Sequence, residues 1–496
     1  MAKANFLAFD FGAESGRAVL GSLGDGKLTL EEKHRFANPN GKMNGRLQWN
    51  LLAQWEEIKT GLRKAGEVVR EDGLAGVGVD TWGVDFGLIL PSGELMGNPT
   101  MYRDPATEGV MERTFAKHSK EEIFRATGIQ FMRINTLFQL LAMQDTHPKM
   151  LEAAGTLLFM PDLFNFLLSG SRKSEMSIAS TSQMCDPNTG TWALELLKWL
   201  GLPTHFLPEI VESGTVVGTL LPEVCADCGV NSAPVIAPAC HDTASAIAAV
   251  PTEGGDDWCY ISSGTWSLMG VELDKPILSD MALKYNYTNE MGVGKKVRFL
   301  KNIMGLWLVQ ECRRHWQRNG YDHGYAELTA MASRAPAFGP LINPNHAMFL
   351  TPGEMVDKID SFCKKTRQRG PGSRGETVRT CLESLALTYR KTLEALEQLL
   401  GKKLNVIHIV GGGTQNELLN QMTADATGRL VLAGPVEATA IGNILVQAMA
   451  VKQVPSLAAA RTLVRDNFGV KRYEPGNQSK WNTAYARYQE IVERTV

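Results

Sequence analysis

The chain has 496 residues, a formal net charge of −2, 44% hydrophobic residues and 21% charged residues. This length exceeds what a single hydrophobic core usually supports, so we predict two or more domains. A net charge this close to zero argues against a protein that binds nucleic acid or an anionic membrane surface. No apolar run reaches membrane-spanning length, and residues 1–5 lead directly into a predicted strand, so we expect a cytoplasmic protein.

The stretch from Phe6 to Leu20 predicts a β-hairpin with a glycine-rich turn. Phe6 to Phe9 are all apolar without helical spacing, which favours a buried strand, and Asp10 follows at its end. Gly12 and Gly16 permit a tight turn before the chain returns as a second strand. Backbone N–H groups in such a turn can face phosphate oxygens, while Asp10 can hold a hydrated cation. The alternative is an ordinary hairpin.

A second stretch, Cys259–Leu268, repeats this arrangement with its turn at Ser262–Thr265. Two such hairpins, each opening about half of the chain, indicate a duplicated domain that clamps phosphates, and hence phosphoryl transfer. The segment Pro251–Asp257 is polar and rich in glycine and acidic residues, so we predict a domain boundary there, with domains at 1–250 and 251–496.

Two other predicted strands deliver polar residues to their carboxyl ends. Gly76–Asp80 runs into Thr81–Asp85, and the strand that begins at Val235 runs into His241–Thr243. Residues that follow a strand in an α/β sheet face the ligand crevice, so both segments are candidates for substrate contacts. The alternatives are an aromatic-rich hairpin that only packs, for the first segment, and a helix N-cap role for Asp242.

Further along the chain, Lys301–Gln310 predicts the opening of a helix with Asn302 near its N-terminus. Val406–Val410 predicts a strand, and the glycines of Gly411–Thr414 suit close approach of a nucleotide to the backbone. This loop matches neither a Walker A nor a Rossmann motif. The pair Cys225 and Cys228 lacks the further ligands of a zinc site, so we interpret the cysteines as ordinary residues.

The two hairpins, the mid-chain acid and the glycine-rich loop, in this order, resemble the FGGY carbohydrate kinases. The resemblance covers nearly the whole chain and is carried by the runs 10–17, 80–86, 241–246, 262–270, 300–308, 342–345, 408–413 and 434–438. It implies an α/β fold of two actin-like (ribonuclease-H-like) ATPase domains with a cleft between them. The N-terminal domain, 1–250, would bind the sugar and carry the first phosphate hairpin, and the C-terminal domain, 251–496, would bind the nucleotide.

Within that family, the same runs imply ATP-dependent phosphorylation of L-rhamnulose at O1, with Mg²⁺ as the cofactor. Another ketose, such as L-fuculose or D-xylulose, is the alternative substrate. The implied partners are a small sugar and ATP, without nucleic acid or membrane, and the implied assembly is a monomer or a small homo-oligomer.

The resemblance also implies roles for individual residues. Asp242 would be the general base, and Asp10 would hold the hydrated Mg²⁺. The implied sugar contacts are Gly83, His241, Asp242, Thr243 and Asn302. The implied nucleotide contacts are Ala13, Glu14, Ser15, Gly16, Arg17, Thr265, Gln310 and Gly412. Ala13 and Glu14 depart from the broader family, which usually has hydroxyl residues at those positions.

Other protein classes share this fold, so function needs the site as well as the fold. A chaperone-type ATPase would require a peptide-binding module, and no sequence after Trp481 indicates one. A sugar sensor without catalysis would lack a base, whereas Asp242 is present. We therefore predict an enzyme.

Overall fold

The structure is a computed structural model that describes residues 3–476 and 478–495. Its strands are β1 Ala4–Phe11, β2 Ser15–Gly24, β3 Lys27–Ala37, β4 Asn40–Met43, β5 Arg46–Trp49, β6 Gly76–Thr81, β7 Phe86–Ile89, β8 Thr156–Phe159, β9 Ser174–Glu175, β10 Cys185–Asp186, β11 Thr191–Trp192, β12 Ile210–Val211, β13 Thr215–Thr219, β14 Pro234–Ala237, β15 Trp258–Ser263, β16 Trp266–Leu273, β17 Thr288–Met291, β18 Val297–Met304, β19 Val406–Val410, β20 Leu430–Ala433 and β21 Lys471–Tyr473.

Its α-helices are α1 Leu51–Val68, α2 Val110–Phe115, α3 Lys120–Thr127, α4 Thr136–Thr146, α5 Pro148–Ala153, α6 Met160–Ser169, α7 Met176–Ser180, α8 Leu194–Trp199, α9 Pro222–Cys228, α10 Asp242–Ala248, α11 Asp280–Tyr285, α12 Trp307–Arg318, α13 Tyr325–Arg334, α14 Met355–Lys365, α15 Arg374–Leu400, α16 Glu417–Thr427, α17 Ala438–Ala450, α18 Leu457–Asn467 and α19 Ser479–Glu493. None of these helices is both long enough and apolar enough to cross a membrane.

The chain forms two compact units. The first comprises the described residues of Met1–Glu253 together with Glu272–Leu300 and Ala438–Asn467, and the second comprises Gly254–Val271, Lys301–Glu437 and the described residues of Phe468–Val496. The first point at which the chain passes from one unit to the other, after Glu253, falls within the predicted linker Pro251–Asp257. The functional division into a sugar-binding domain, 1–250, and a nucleotide-binding domain, 251–496, stays a prediction.

The first unit is built on a six-stranded sheet with the strand order β13-β14-β6-β1-β2-β3. β1 is buried along its whole length, as is β6, and the two strands run parallel. Continuous burial explains their runs of apolar residues, since central strands of a covered sheet are enclosed on both faces. β1, β2 and β3 pair antiparallel and contain the first predicted hairpin, and β13 pairs antiparallel with β14 on the other side of the sheet.

Helix α17 packs against this sheet through side chains that bond to the strands. Gln447 Nε2 donates to the Leu7 carbonyl at 3.1 Å, and Asn443 Nδ2 donates to the Gly78 carbonyl at 3.3 Å. The same helix packs on α10, and a Cβ at Gly442 would lie 1.8 Å from the carbonyl oxygen of Ser245. Glycine is therefore required at this crossing of the two helices.

In the second unit, β15 and β16 form the second predicted hairpin, and β15 pairs in parallel with β19, which pairs in parallel with β20. The long helix α15 begins after Ser373, whose Oγ accepts from the Glu376 N–H at 3.2 Å. It ends at Gly401, which has a φ of +67°. An N-cap serine and a left-handed glycine are ordinary signals for the two ends of a helix.

One predicted element is wrong. Asn302 does not lie near the start of a helix, because it belongs to strand β18 and helix α12 begins only at Trp307. The apolar residues around Asn302 also fit helical spacing. Strand pairing with distant segments, which local spacing does not reveal, determines the observed structure.

Candidate active site

The first hairpin brings together an aspartate and an arginine that are seven residues apart in the sequence. Asp10 lies at the end of β1, directly opposite Arg17 on β2. Arg17 Nη2 is 2.5 Å from Asp10 Oδ2, and Asp10 is only 7% exposed. The carboxylate predicted to hold a cation is thus oriented by a guanidinium from its own hairpin.

Asn38 stabilises the turn of this hairpin by hydrogen bonds. The turn contains the predicted nucleotide contacts Ala13–Arg17. Asn38 Nδ2 donates to the Gly12 carbonyl at 2.8 Å, and its backbone N–H donates to the Glu14 carbonyl at 2.9 Å. A Cβ at Gly16 would lie 2.3 Å from the ring of Phe36. Glycine is therefore required at position 16 by close packing.

Three carboxylates lie at one edge of the first unit's sheet. Asp10 ends β1, and Asp80 sits opposite it in the adjacent parallel strand β6. β14 pairs in parallel with β6, and the chain beyond β14 bridges to Thr81 through His241 before Asp242 begins α10. The carboxyl ends of parallel strands meet at the same edge, which is where ligands bind in such sheets.

Asp80 is fully buried. Its Oδ2 accepts from Asn443 Nδ2 at 2.6 Å, and its Oδ1 has no hydrogen-bond partner among the described residues. Burial raises the pKa of Asp80 well above its usual range, and the negative charges of Asp10 and Asp242 raise it further, against the hydrogen bond from Asn443. Asp80 was part of a predicted motif but had no predicted role.

Asp242 is the first residue of α10, and His241 occupies the N-cap position that the alternative interpretation gave to Asp242. Asp242 Oδ1 accepts from the Thr243 N–H at 2.5 Å and from Thr243 Oγ1 at 3.1 Å. His241 Nε2 lies 3.4 Å from the same oxygen. The Asp242 side chain keeps 30% of its exposure, whereas that of His241 keeps 8%.

The surroundings of Asp242 favour proton acceptance. Burial raises its pKa, the neighbouring His241 imidazole opposes that rise, and the charge of Asp10 adds to it. A carboxylate with a raised pKa is a stronger base, which suits removal of a proton from a hydroxyl group near neutral pH. Its partial exposure leaves the carboxylate open to a substrate.

The loop that contains Gly83 has a strained backbone. Val84, a β-branched residue, has a φ of +69°. Its N–H donates to Thr181 Oγ1 at 3.1 Å, and its carbonyl accepts from Thr136 Oγ1 at 2.7 Å. A Cβ at Gly83 would lie 3.1 Å from Thr181 Oγ1. Strain of this kind persists only where the surroundings enforce it, and it occurs often at ligand sites.

Asp85, at the end of the same loop, is buried and accepts several hydrogen bonds that stabilise the loop. Its Oδ2 accepts from Trp49 Nε1 at 2.7 Å, from Trp82 Nε1 at 2.9 Å and from the Tyr102 N–H at 3.2 Å. Burial raises the pKa of Asp85 to about 7, although these hydrogen bonds and one from Gln139 lower it. Asp85 therefore holds the loop in place through buried bonds.

A second buried acid, Glu175, fixes the peptide before Asp242. Glu175 Oε2 accepts from the Cys240 N–H at 3.0 Å and from Ser177 Oγ at 2.6 Å. Ser177 Oγ in turn accepts from the His241 N–H at 3.1 Å. Burial raises the pKa of Glu175, while bonds from Ser177 and Ser213 lower it. Sequence reasoning missed this support, because its only local signal is a short polar run.

In the second unit, the turn of the second hairpin is joined to the start of α12. The Leu306 N–H donates to the Gly264 carbonyl at 3.0 Å, and the Trp307 N–H donates to the Thr265 carbonyl at 3.2 Å. Gln310 lies in the first turn of α12, and its Oε1 is buried with no hydrogen-bond partner among the described residues. Two of the predicted nucleotide contacts, Thr265 and Gln310, thus belong to segments that are joined by backbone hydrogen bonds.

The glycine-rich loop after β19 lies against that hairpin. Ser262 is opposite Val410 in the parallel pair of β15 and β19. A Cβ at Gly413 would lie 2.0 Å from Ser263 Oγ, whereas a Cβ at Gly412 would meet nothing within 4 Å. Gly413 is therefore required for packing, and Gly412 leaves open space over the backbone.

The residues predicted to bind ligands are found in both units. The first unit contains Asp10, Ala13, Glu14, Ser15, Gly16, Arg17, Gly83, His241, Asp242 and Thr243. The second contains Thr265, Asn302, Gln310 and Gly412. The ligand roles of these residues stay predictions.

Comparison with known proteins gives a consistent result. The family model for the N-terminal domain of the FGGY family of carbohydrate kinases matches residues 5–249, and that for the C-terminal domain matches residues 259–451. A rhamnulokinase from Bacteroides thetaiotaomicron is 43% identical over 490 residues, covering 99% of this chain and 100% of the relative. A rhamnulokinase from Enterococcus faecalis is 40% identical over 496 residues, covering 99% of this chain and 98% of the relative.

Solved structures show the same fold at low identity. The gluconate kinase from Lactobacillus acidophilus has a TM-score of 0.81 and 15% identity, covering 99% of this chain and 98% of that one. The glycerol kinase from Plasmodium falciparum with ADP has a TM-score of 0.77 and 17% identity, with the same coverage. The predicted α/β fold, the two-domain actin-like (ribonuclease-H-like) ATPase fold, is confirmed.

Proposed function

The chain belongs to the FGGY family of carbohydrate kinases, and we propose that it transfers the γ-phosphoryl group of ATP to O1 of L-rhamnulose, giving L-rhamnulose 1-phosphate and ADP. The observation that carries this proposal is the identity of 37–43% to seven rhamnulokinases over 94–99% of the chain. The geometry at Asp242 supports it, because a kinase that phosphorylates a hydroxyl group benefits from a positioned base.

In the proposed reaction, Asp242 accepts the proton of the sugar O1 hydroxyl as the oxygen bonds to phosphorus. The raised pKa of Asp242 makes it a better acceptor than an exposed aspartate. Thr243 holds one carboxylate oxygen through two hydrogen bonds, which orients the other oxygen for the substrate. His241, Gly83 and Asn302 are the remaining proposed sugar contacts.

The proposed nucleotide contacts are the backbone turn Ala13–Arg17, together with Thr265, Gln310 and Gly412. Arg17 is a cation beside the first turn, and the open surface over Gly412 leaves room for a nucleotide against the backbone. The buried Oε1 of Gln310, which lacks a partner among the described residues, is a hydrogen-bond acceptor available to a ligand.

The residues around Asp10 also fit a bound Mg²⁺. Mg²⁺ takes oxygen ligands and is usually bound through one or two carboxylates, with waters and substrate phosphates completing its shell. Asp10 and Asp80 are opposed on adjacent strands, and Asp80 Oδ1 is a buried acceptor with no partner among the described residues. We propose that Asp10 holds the hydrated ion. When bound, the ion would neutralise charge on the phosphate oxygens.

The sugar is tested by measuring kcat/KM for L-rhamnulose, L-fuculose and D-xylulose with MgATP. A 6-deoxyketose ends in a methyl group, which Trp82 or Phe86, beside Gly83, would contact. A hydroxyl of the wrong hand would leave buried polar groups unpaired. The two effects are worth about 1–3 kcal/mol each. We expect a clear preference for L-rhamnulose over D-xylulose and a smaller one over L-fuculose. A preference of about tenfold for either competitor would overturn the assignment.

A further inference from the structure

A buried ion pair, Glu290 and Arg298, contacts the imidazole ring of His241. β17 and β18 form a hairpin in which Glu290 lies opposite Arg298. Arg298 is fully buried; its Nη2 donates to Glu290 Oε2 at 3.2 Å, and its Nε donates to the Met291 carbonyl at 3.0 Å. The same Nη2 lies 3.0 Å from His241 Nδ1. The buried arginine therefore contacts the side chain of a residue that is predicted to bind the sugar.

The contact determines where the histidine proton resides. A guanidinium has only donors and stays charged, so His241 Nδ1 must be the acceptor in this bond. A neutral imidazole that accepts at Nδ1 carries its proton at Nε2. His241 Nε2 is the atom that faces Asp242 Oδ1, at 3.4 Å. The Nε2–H group is therefore presented on the side of the proposed base.

We propose that Arg298 is a positioning residue that holds His241 as the neutral Nε2–H tautomer, so that His241 donates a hydrogen bond beside Asp242. That the recipient is a sugar hydroxyl rests on the proposed function, whereas the tautomer does not. The hydrogen bond from Arg298 Nη2 to Nδ1 also fixes the plane of the imidazole ring.

Glu290 makes the assignment sensitive to Arg298. Glu290 Oε2 lies 3.4 Å from His241 Nδ1, so it would accept a hydrogen bond from a protonated Nδ1 if the guanidinium were absent. Loss of Arg298 should then convert His241 to the Nδ1–H tautomer or to an imidazolium bonded to Glu290. Either change alters the Nε2 group that faces Asp242, without altering any residue predicted to touch substrate.

The test is ¹⁵N NMR of the histidine side chains in the full-length protein, without sugar or nucleotide. The chain has nine histidines, and His241→Asn identifies the signals of His241. We expect an unprotonated Nδ1 and a protonated Nε2 in the wild type, and loss of that pattern in Arg298→Met. A wild-type Nδ1–H or imidazolium signal at neutral pH, or an unchanged pattern in Arg298→Met, would overturn the proposal.

Two further variants separate this role from general folding. Glu290→Gln keeps the arginine bond, so it should keep the Nε2–H pattern; loss of the pattern in this variant would show that Glu290 sets the tautomer and would refute the role of Arg298. If Arg298→Met does not fold because it leaves Glu290 buried without its partner, Arg298→Met/Glu290→Gln removes both charges. The double variant should show mixed tautomers, and a retained single Nε2–H tautomer would refute the proposal.

Kinetics give an independent readout. With the ketose that the specificity test selects, Arg298→Met should lower kcat/KM for the sugar by about tenfold or more, as expected when a hydrogen-bond donor is lost, and should leave KM for ATP within about twofold. An equal loss for both substrates would indicate general damage and contradict the positioning role. Because the tautomer is measured without substrate, a wrong sugar assignment and a wrong tautomer assignment would be distinguishable.

Discussion

Gly442→Ala tests whether the packing of α17 on α10 positions Asp242. A Cβ at position 442 would lie 1.8 Å from the backbone carbonyl oxygen of Ser245 and 2.6 Å from its carbonyl carbon. Backbone atoms cannot rotate away as a side chain can, so one helix must move. Ser245 is three residues from Asp242, which begins α10. The displacement should therefore reach the proposed base.

The size of the effect follows from the geometry. An ordinary Cβ contact begins at 3.4 Å, so the two helices must separate locally by about 1.6 Å from the 1.8 Å approach. Overpacking destabilises by roughly 1–3 kcal/mol, and replacing glycine by alanine within a helix stabilises by about 1 kcal/mol. We expect a net loss of about 1 kcal/mol in the free energy of unfolding. Misplacement of a catalytic group by about 1 Å can cost about 10²-fold, so we expect that decrease in kcat.

The measurements are denaturant unfolding and kcat at saturating substrates, at a temperature where the variant is folded. Gly375→Ala is the matched control, because a Cβ there would lie 2.6 Å from the Met331 carbonyl oxygen, between α15 and α13 of the second unit. The control should lose stability and keep kcat, since it does not touch α10. A Gly442→Ala enzyme that is destabilised but turns over at the wild-type rate would refute the positional argument.

Three other outcomes are expected. Asp242→Asn should lower kcat by about 10²–10⁴-fold while calorimetric sugar affinity changes far less, and near-wild-type turnover would contradict its role as base. The pKa of Asp242 is raised, so activity should be present above that pKa and lost as the pH falls through it. The acidic pKa in the pH profile of kcat/KM should therefore lie above about 3.9, the value for an ordinary aspartate. A value at or below that of an ordinary aspartate would count against the assignment. Gly413→Ala should raise KM for ATP and spare sugar affinity, because its Cβ would lie 2.5 Å from Ser263 Cβ; unchanged KM for ATP would exclude that loop from nucleotide binding.

Several features were predictable because their causes are local in the chain. The continuous apolar run in β1 and the glycines after it were sufficient for the first hairpin, and Gly401 marked the end of α15. The recurrence of acids at strand ends identified Asp10 and Asp242 as candidates. These features depend on backbone conformation and on side-chain periodicity over a few residues, which sequence displays directly.

The remaining features depend on which segments pair, and pairing is decided by burial and hydrogen bonds between residues far apart in sequence. Asp10, Asp80 and Asp242 share an edge only because β1, β6 and β14 pair in parallel. Asn302 was misplaced because its strand, β18, lies between β17 and β16 in the sheet, and the pairing with β16 is not visible in the local spacing of residues. The proposed partner that sets the tautomer of His241 is Arg298, which lies 57 residues away in the sequence. This buried cation is compensated by Glu290, which lies opposite it on the paired strand.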